Sequence, residues 1–322
     1  MKKSTLIYLL LILCVACEQD EIAIDKHPIG EIEVTQINIG SDYSQQIFYN
    51  INENNIIGNN IKTDWDLAFR LNANESKIII NSSTFSQISK LENYNFNTPV
   101  ILADLTWRWD NPNGVNFGTA FDNTENSTTY ILDRGYNING TSRGYKKIRI
   151  DSINSSSFFI TYANIDNTNL ESVEIIQDSL FNFQYFSFNT DTIINIEPRK
   201  DKWDLVFTQY THLFTNNLET PAYLVTGVLT NYLNNVTIAI DSTNSFDDIN
   251  LDVISNYTFS NDQDEIGYNW KTFDFDEQVY SVNTEIIYII KDMSNRYFKM
   301  YFIDFYNDLG EKGHPKFVIQ EL

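Results

Sequence analysis

WDLAF at residues 65–69 recurs as WDLVF at residues 203–207, 138 positions further along the chain. An aromatic segment precedes each copy at the same offset, QIF at 46–48 and QYF at 184–186. A gapless match between two distant stretches of one chain indicates an internal duplication. The repeated stretch therefore determines how the rest of the sequence is divided.

Segments after each motif also correspond, in the same order. They are TYIL at 129–132 with IYII at 287–290, and YKKI at 145–148 with YFKM at 297–300. The interval before them is longer in the second copy, which indicates an insertion there. We predict two related β units in tandem, residues 31–172 and 173–322.

Apolar residues alternate with polar ones in many short stretches, which is typical of β-strands. Val236, Ile238 and Ile240 form one such set, and residues 249–253 contain another. The apolar phase changes across Gln36, which predicts a strand break or bulge there. No long stretch carries the apolar stripe of an amphipathic helix. The sequence therefore predicts an all-β, largely antiparallel protein whose helices are few and short.

Composition excludes several functions. The 322 residues include 43 acidic and 22 basic side chains, and a surface with a net charge of −21 repels the phosphate backbone of nucleic acids. Two cysteines and three histidines leave little material for multi-cysteine metal sites or histidine-rich catalysis. Neither a nucleophile elbow nor a glycine-rich phosphate loop occurs. We predict a binding protein without catalytic activity.

The N-terminus has the pattern of an export signal. Two lysines precede an apolar run over residues 6–15, which is shorter than the about 20 residues needed to span a membrane. Cys17 follows a small residue, and the chain then becomes acidic. We predict a signal peptide at 1–16, lipid attachment at Cys17 and a polar tether over 17–30. An ordinary secretory signal that leaves Cys17 as a free thiol is the alternative.

Ala16-Cys17 resembles the lipobox of bacterial lipoproteins, with Cys14 where that motif usually has Leu. The acidic stretch at 18–21 resembles the surface-export signal of Bacteroidetes lipoproteins. The two resemblances imply an outer-membrane lipoprotein that is exposed on the cell surface and held in the outer-membrane lipid by its N-terminal anchor.

The second unit resembles the HmuY family of Bacteroidetes lipoproteins. The resemblance is carried by QYFSF at 184–188, KWDLVF at 202–207, GYNW at 267–270 and the closing strand from Lys299 to Tyr306. It covers nearly all of residues 176–322, and the first unit resembles the same pattern more weakly through its WDLAF motif. The resemblance implies an all-β fold and a role in haem acquisition, with haem iron held between two side chains, usually His or Met. It also implies an outer-membrane transporter as a candidate partner.

Candidate haem ligands are few. Family members with paired histidines place one of them after the late tryptophan, which is Trp270 here, but residues 270–275 contain neither His nor Met. The other ligand should come from residues 227–262, and these also lack both. The remaining candidates are His212, Met293 and Tyr210, because imidazole, thioether and tyrosine oxygen can each bind haem iron axially. For His212, a strand-end histidine with a hydrogen-bonded role is the alternative.

Other motifs bear on metal binding and on a second function. DQDEIG at 262–267 partly mimics a calcium loop, but Ile266 stands where an oxygen ligand belongs, so no metal site is expected. His314 lies between a glycine and a proline, which predicts a turn. The aromatic pair Trp107 and Trp109 supports the alternative function. That alternative is a surface interaction or adhesion module, for a protein or glycan partner, which lacks the haem ligands.

Overall fold

The computed structural model describes residues 29–72, 75–92, 94–121, 126–214 and 221–322. The predicted signal peptide, Cys17 and most of the predicted tether lie outside these residues. No helix within the described ranges is long and apolar enough to cross a membrane. The secondary structure consists of antiparallel strands and short 3-10 turns, so the prediction of an all-β, largely antiparallel fold is confirmed.

Twenty strands and six short 3-10 turns account for the regular structure of the described residues. The first ten strands are β1 (Glu33–Gln36), β2 (Gln45–Asn50), β3 (Asn55–Ile61), β4 (Leu67–Asn72), β5 (Glu75–Ile80), β6 (Gln87–Leu91), β7 (Thr128–Asp133), β8 (Tyr145–Ile153), β9 (Ser157–Ala163) and β10 (Glu171–Ile176). The others are β11 (Gln184–Ser187), β12 (Thr192–Ile194), β13 (Leu205–Leu213), β14 (Ala222–Thr230), β15 (Thr237–Asp241), β16 (Lys271–Asp274), β17 (Val279–Val282), β18 (Ile287–Lys291), β19 (Tyr297–Tyr306) and β20 (Lys312–Glu321). The 3-10 turns are Ser82–Thr84, Leu102–Asp104, Val115–Phe117, Tyr232–Asn234, Phe246–Asp248 and Ile254–Asn256.

The strands form four main sheets and a separate hairpin of β16 and β17. Sheet 1 has the order β1-β20-β19-β18-β15, and sheet 2 has the order β14-β13-β2-β3. Sheet 3 is β12-β11-β4-β5, and sheet 4 is β10-β9-β8-β7-β6. Three hydrophobic cores lie between sheets 1 and 2, between sheets 2 and 3, and between sheets 3 and 4. The sheets therefore stack as four layers, with sheets 2 and 3 inside.

The repeated motif occupies the inner sheets because its strands are apolar on both faces. In β2, Ile47 and Tyr49 pack in the core with sheet 1, whereas Phe48 between them packs in the core with sheet 3. In β4, Leu67 packs toward sheet 4 and Ala68 toward sheet 2. Successive side chains of a strand point to opposite faces, so an inner strand must be apolar on both. This explains why WDLAF and WDLVF are nearly continuous apolar runs.

Strands of the two repeats pair across the boundary predicted at residues 172/173. β2 of the first repeat pairs with β13 of the second, with Phe48 opposite Val206. Conversely, β11 pairs with β4, with Phe186 opposite Leu67. In the outer sheets β1 pairs with β20, and β10 pairs with β9. The first three strands of each repeat thus complete the sheets of the other repeat.

The chain consequently forms two bodies that differ from the two sequence repeats. The central body contains β4–β12, and the terminal body contains β1–β3 together with β13–β20. The chain crosses between the bodies before β4 and before β13, and a Trp-Asp pair precedes each of these strands. The N–H of Asp66 donates to the carbonyl of Phe186, and the N–H of Asp204 donates to the carbonyl of Tyr49, both at 2.9 Å. Equivalent hydrogen bonds therefore hold both crossings.

A buried lysine in each outer sheet holds a loop segment against that sheet. Lys299 Nζ donates to the carbonyls of Phe246 and Ile249, at 2.6 and 3.0 Å. Lys147, its counterpart in sheet 4, binds two loop carbonyls in the same way. The strand predicted within residues 249–253 is therefore wrong. This segment forms turns and lies over sheet 1. Lys299 donates a hydrogen bond to the Ile249 carbonyl, and the Ile249 side chain packs in a separate hydrophobic cluster against the sheet.

The strand break predicted at Gln36 is confirmed, because β1 ends at this residue. Ile37 and Ile39 then turn inward and are 0% and 1% exposed. Their N–H groups donate to the carbonyls of Pro315 and Gly313, at 2.9 and 3.0 Å. The break lets the chain pass from the outer sheet into the core between sheets 1 and 2.

Candidate functional site

His212 lies near the free end of the hairpin formed by β13 and β14. These strands pair along nine residues each, whereas β2 pairs only with residues 205–207 of β13, so the far half of the hairpin extends beyond β2. The His212 side chain is 25% exposed. Its ring packs edge-on against Phe214 and Tyr268, with centroids 5.2 and 5.1 Å away. We call His212, Phe214 and Tyr268 the aromatic rim.

A carboxylate lies behind the histidine. His212 Nδ1 is 3.7 Å from Asp264 Oδ2, which is within ion-pair range but longer than a hydrogen bond. Burial raises the pKa of Asp264, and the nearby His212 opposes this rise. The carboxylate lies on the Nδ1 side of the ring, which leaves Nε2 as the other nitrogen that a ligand could use. In histidines that bind a metal, a carboxylate often accepts a hydrogen bond from the second ring nitrogen, and Asp264 is the carboxylate nearest to that position here.

Tyr210 lies two residues before His212 and therefore on the same face of β13. Its side chain is 1% exposed, and its hydroxyl has no hydrogen-bond partner among the described residues. Burial raises the pKa of Tyr210, and the nearby Asp264 raises it further, so the phenol stays neutral at physiological pH. A Cβ at Gly267 would lie 3.1 Å from this hydroxyl. Tyr210 thus places a neutral hydroxyl beneath the rim.

Met293 lies far from the rim. Its sulfur accepts a hydrogen bond from Asn234 Nδ2 at 3.2 Å, and the same amide donates to the Lys200 carbonyl, close to where the chain enters β13. His212 is near the opposite end of β13, roughly 23 Å along the strand at its usual rise per residue. The structure therefore brings Tyr210 and His212 together and leaves Met293 apart from them.

The segment after the late tryptophan belongs to the core. Trp270 is 1% exposed and stacks on Phe302, with centroids 3.9 Å apart. Lys271 Nζ lies 4.3 Å from the centroid of the Trp270 ring and donates to the Thr226 carbonyl. Burial lowers the pKa of Lys271 to about 7. A buried lysine against an aromatic ring thus occupies the place where the family resemblance implies a ligand.

Other sequence candidates lie elsewhere. His314 is inside β20, so the turn predicted there is wrong. Trp107 and Trp109 are half-buried, and each packs on a ring of this chain, Tyr145 and Phe85 respectively. Within the ranges that the structure describes, no group of three or more His, Cys, Asp or Glu side chains could hold a metal ion.

A cavity of about 110 Å³ lies between sheets 2 and 3. Trp65, Tyr185, Glu197 and Trp203 are among the residues that line it. Sites for drug-sized ligands usually have about 300–1,000 Å³, so this cavity is too small for a porphyrin. The rim, not the cavity, is therefore the surface at which a haem could meet an available histidine nitrogen.

Glu197 is a buried carboxyl group in the wall of this cavity. It is 4% exposed and accepts hydrogen bonds from the Phe183 N–H at 2.9 Å and the Tyr185 hydroxyl at 3.4 Å. Burial raises the pKa of Glu197 to about 8, whereas these hydrogen bonds lower it. The carboxyl group is therefore mostly protonated at neutral pH.

This pKa makes stability depend on pH in one direction. The folded state holds the Glu197 proton more tightly than the unfolded state does. The contribution of this protonated carboxyl group to the free energy of unfolding is therefore full below pH 4.5 and is lost as the pH rises through about 8. We expect Glu197→Gln to raise the free energy of unfolding at pH 9 by up to about 5 kcal/mol relative to wild type, and to change it little at pH 4. Glu277→Gln, at an exposed position, is the control. Urea unfolding at both pH values measures this, and equal effects of Glu197→Gln at pH 4 and pH 9 would contradict it.

The chain is an all-β protein of four stacked antiparallel sheets. Its candidate ligand site is a partly exposed histidine within an aromatic rim at the end of one sheet. Residues 179–318 match the family model described as HmuY protein. This match confirms the resemblance of the C-terminal part of the chain to the HmuY family, whose members are binding proteins. No curated protein matches.

Several solved structures are similar to this chain, among them the following two. One is PinO from Porphyromonas gingivitis, with 8% identity and a TM-score of 0.30, covering 91% of this chain and 97% of that chain. The other is an HmuY analogue from Tannerella forsythia, with 15% identity and a TM-score of 0.24, covering 55% of this chain and 94% of that chain.

Proposed function

We propose that this protein is a surface-anchored lipoprotein that binds haem or a related porphyrin without catalysis, with His212 as an axial ligand. The observation that carries the proposal is the HmuY family match over residues 179–318, which includes His212 and the whole rim. Lipid attachment at Cys17 and exposure on the outer membrane are part of the proposal and rest on the N-terminal sequence pattern.

The rim offers the contacts that a porphyrin needs. His212 supplies an imidazole nitrogen for the iron, and the Asp264 carboxylate lies 3.7 Å from its other ring nitrogen. The rings of Phe214 and Tyr268 flank the histidine and provide apolar contact for a flat macrocycle. Haem, as the cargo, supplies the iron centre, and the protein supplies the ligand and the apolar surface.

The geometry supports one protein ligand for each haem. Met293 lies at the other end of β13, and His314 lies in sheet 1. Tyr210 is neutral and buried, so it does not offer a phenolate. The second axial position would then be left to water or to a partner such as an outer-membrane transporter.

A haemin titration tests the proposal. Titrating the full mature chain with ferric haemin should shift the Soret band and saturate at one haemin per chain. The physical reason is that imidazole binding changes the ligand field of the iron, whereas nonspecific adsorption does not saturate at a fixed ratio. A spectrum equal to the sum of free haemin and protein would contradict haem binding.

A second candidate function, an interaction or adhesion module for a protein or glycan, is supported by exposed aromatic side chains. Tyr223 pairs opposite His212 and is 58% exposed, and Phe275 in the turn between β16 and β17 is 83% exposed. Large exposed rings are typical of surfaces that meet a partner. Binding on a glycan array that Tyr223→Ala abolishes would favour this function, and an array without binding would count against it.

A further inference from the structure

The cavity between sheets 2 and 3 lies where the two repeats meet. Tyr210, beneath the aromatic rim, is among its lining residues, but the three rim residues are not. Trp65 of the first repeat and Trp203 of the second both line it. Its volume is about 110 Å³. An engineered cavity of about 150 Å³ holds benzene, so this one suits a molecule of no more than about six non-hydrogen atoms.

Four buried polar atoms of residues that line it have no hydrogen-bond partner among the described residues. They are Trp203 Nε1, Asn182 Oδ1, Thr230 Oγ1 and Tyr210 Oη. Their residues are 5%, 2%, 1% and 1% exposed, respectively. Buried polar groups are almost always hydrogen-bonded in folded proteins, so four open ones around a single cavity point to a guest that satisfies them.

Comparison of the repeats shows which of these groups is distinctive. In the first repeat, Trp65 Nε1 donates to Gln46 Oε1 at 2.9 Å. In the second repeat Gln184 occupies the position of Gln46, but Trp203 Nε1 does not donate a hydrogen bond to it. The duplicated scaffold therefore satisfies one indole internally and leaves the other indole open to the cavity.

The open groups define the chemistry of the guest. The indole N–H of Trp203 is only a donor, so the guest must carry an acceptor. Asn182 Oδ1 is only an acceptor, so the guest must also carry a donor. The two carboxyl groups in the wall, Glu197 and Asp110, already accept hydrogen bonds from backbone N–H groups. An anion would face these carboxyl groups, and a cation would have to compete with their backbone hydrogen bonds, which favours a neutral guest.

The loop that contains Asn113, Gly114 and Val115 covers the cavity. The Val115 N–H donates to the Tyr232 hydroxyl at 2.7 Å, and the Gln263 N–H donates to the Asn113 carbonyl at 2.9 Å. A Cβ at Gly114 would lie 2.5 Å from the Tyr232 ring, so a side chain at this position would prevent the loop from closing. The loop spans from the central body to the terminal body and closes the cavity from one side.

We propose that this cavity is a binding site for a small neutral molecule with both a donor and an acceptor, such as a short polyol or a neutral azole, held by Trp203 Nε1 and Asn182 Oδ1. The site is separate from the proposed haem site and does not depend on it.

Indole N–H resonances test the proposal. In the full mature chain labelled with ¹⁵N, glycerol and imidazole at pH 8 serve as probes, and Trp203→Phe identifies the Trp203 signal. We expect at least one probe to shift this signal saturably. Trp203→Phe lacks this signal, so its affinity is measured from the dependence of the melting temperature on probe concentration. It should bind that probe about five- to tenfold more weakly, the usual loss for one neutral hydrogen bond. Trp107→Phe is the control and should leave the affinity unchanged, because Trp107 packs on Tyr145 and is not among the residues that line the cavity.

Thr230→Val, which removes the third open group with little change of shape, gives a second test and should also weaken the probe. The probe should raise the melting temperature of wild type more than that of Trp203→Phe. No saturable shift with either probe would show that water alone fills the cavity and would overturn the proposal. Equal weakening by Trp107→Phe and Trp203→Phe would overturn it as well.

Discussion

Splitting the chain between Asn169 and Leu170 should give two fragments that cannot fold separately but assemble together. Both residues are exposed, in the connection between β9 and β10. The N-terminal fragment keeps β4–β9 but lacks β10–β12, and the C-terminal fragment keeps β13–β20 but lacks β1–β3. Each fragment alone would therefore expose the edges of inner sheets that are buried on both faces.

Circular dichroism and size-exclusion chromatography with light scattering measure this outcome. Each fragment alone should be unfolded or aggregated, and the mixture should elute as one complex with the mass of the whole chain. The control is the intact chain carrying a protease site at the same position, which should remain one species after cleavage. Two fragments that fold and elute independently would show that the repeats are self-contained tandem domains and would contradict the strand exchange.

Asp66→Asn should destabilise the protein by about 3–5 kcal/mol, the usual cost of breaking a buried ion pair. Asp66 is 0% exposed and binds Arg134 Nε at 2.9 Å and Arg143 Nη2 at 3.0 Å. It also accepts a hydrogen bond from the Phe188 N–H at 2.7 Å. The substitution would leave two guanidinium groups in the interior without their shared counter-charge.

Asp204→Asn is the matched control from the second repeat. Asp204 accepts a hydrogen bond from the Ile51 N–H at 2.9 Å, and its Oδ1 has no hydrogen-bond partner among the described residues. Burial raises the pKa of Asp204 to about 6, so its contribution to stability is lost as the pH rises from 3.8 through 6. At pH 8, we expect Asp204→Asn to be neutral or stabilising by up to about 3 kcal/mol.

Urea unfolding of both variants at pH 8 gives the comparison. A large loss for Asp66→Asn beside no loss for Asp204→Asn would show that the same motif residue has two different electrostatic roles. Equal losses for the two variants would contradict this difference. The sequence alone cannot separate the roles, because WDLAF and WDLVF present the two carboxylates identically and Arg134 and Arg143 are distant in the chain.

The sequence predicts the type of secondary structure well and the strand pairing poorly. Alternating apolar residues reveal the β-strands, and the change of phase at Gln36 correctly predicts the end of β1. The exchange of β1–β3 with β10–β12 is invisible in the sequence, because equivalent strands of two repeats offer nearly the same apolar pattern to either partner. The alternation within residues 249–253 is misleading, because Lys299 binds the backbone of this segment and keeps it outside the sheet.

The candidate site is only partly visible in the sequence. His212 stands out because so few histidines exist; the structure places it inside β13, one residue from the strand end, with its side chain 25% exposed. The sequence does not predict Asp264 and Tyr268 as its neighbours. Gly267, which lies between them in the chain, pairs with Val228 of β14 and so holds this segment beside the hairpin. A contact of this kind depends on tertiary structure and leaves no local pattern.

The most direct test of the account is the haemin absorption spectrum of His212→Ala beside that of His314→Ala. The two variants remove one histidine each, the first from the aromatic rim and the second from β20. We predict that His314→Ala keeps the wild-type Soret shift and that His212→Ala loses it, because only His212 offers an imidazole nitrogen at the rim. An unchanged shift in His212→Ala would contradict the account and remove this residue from the haem site.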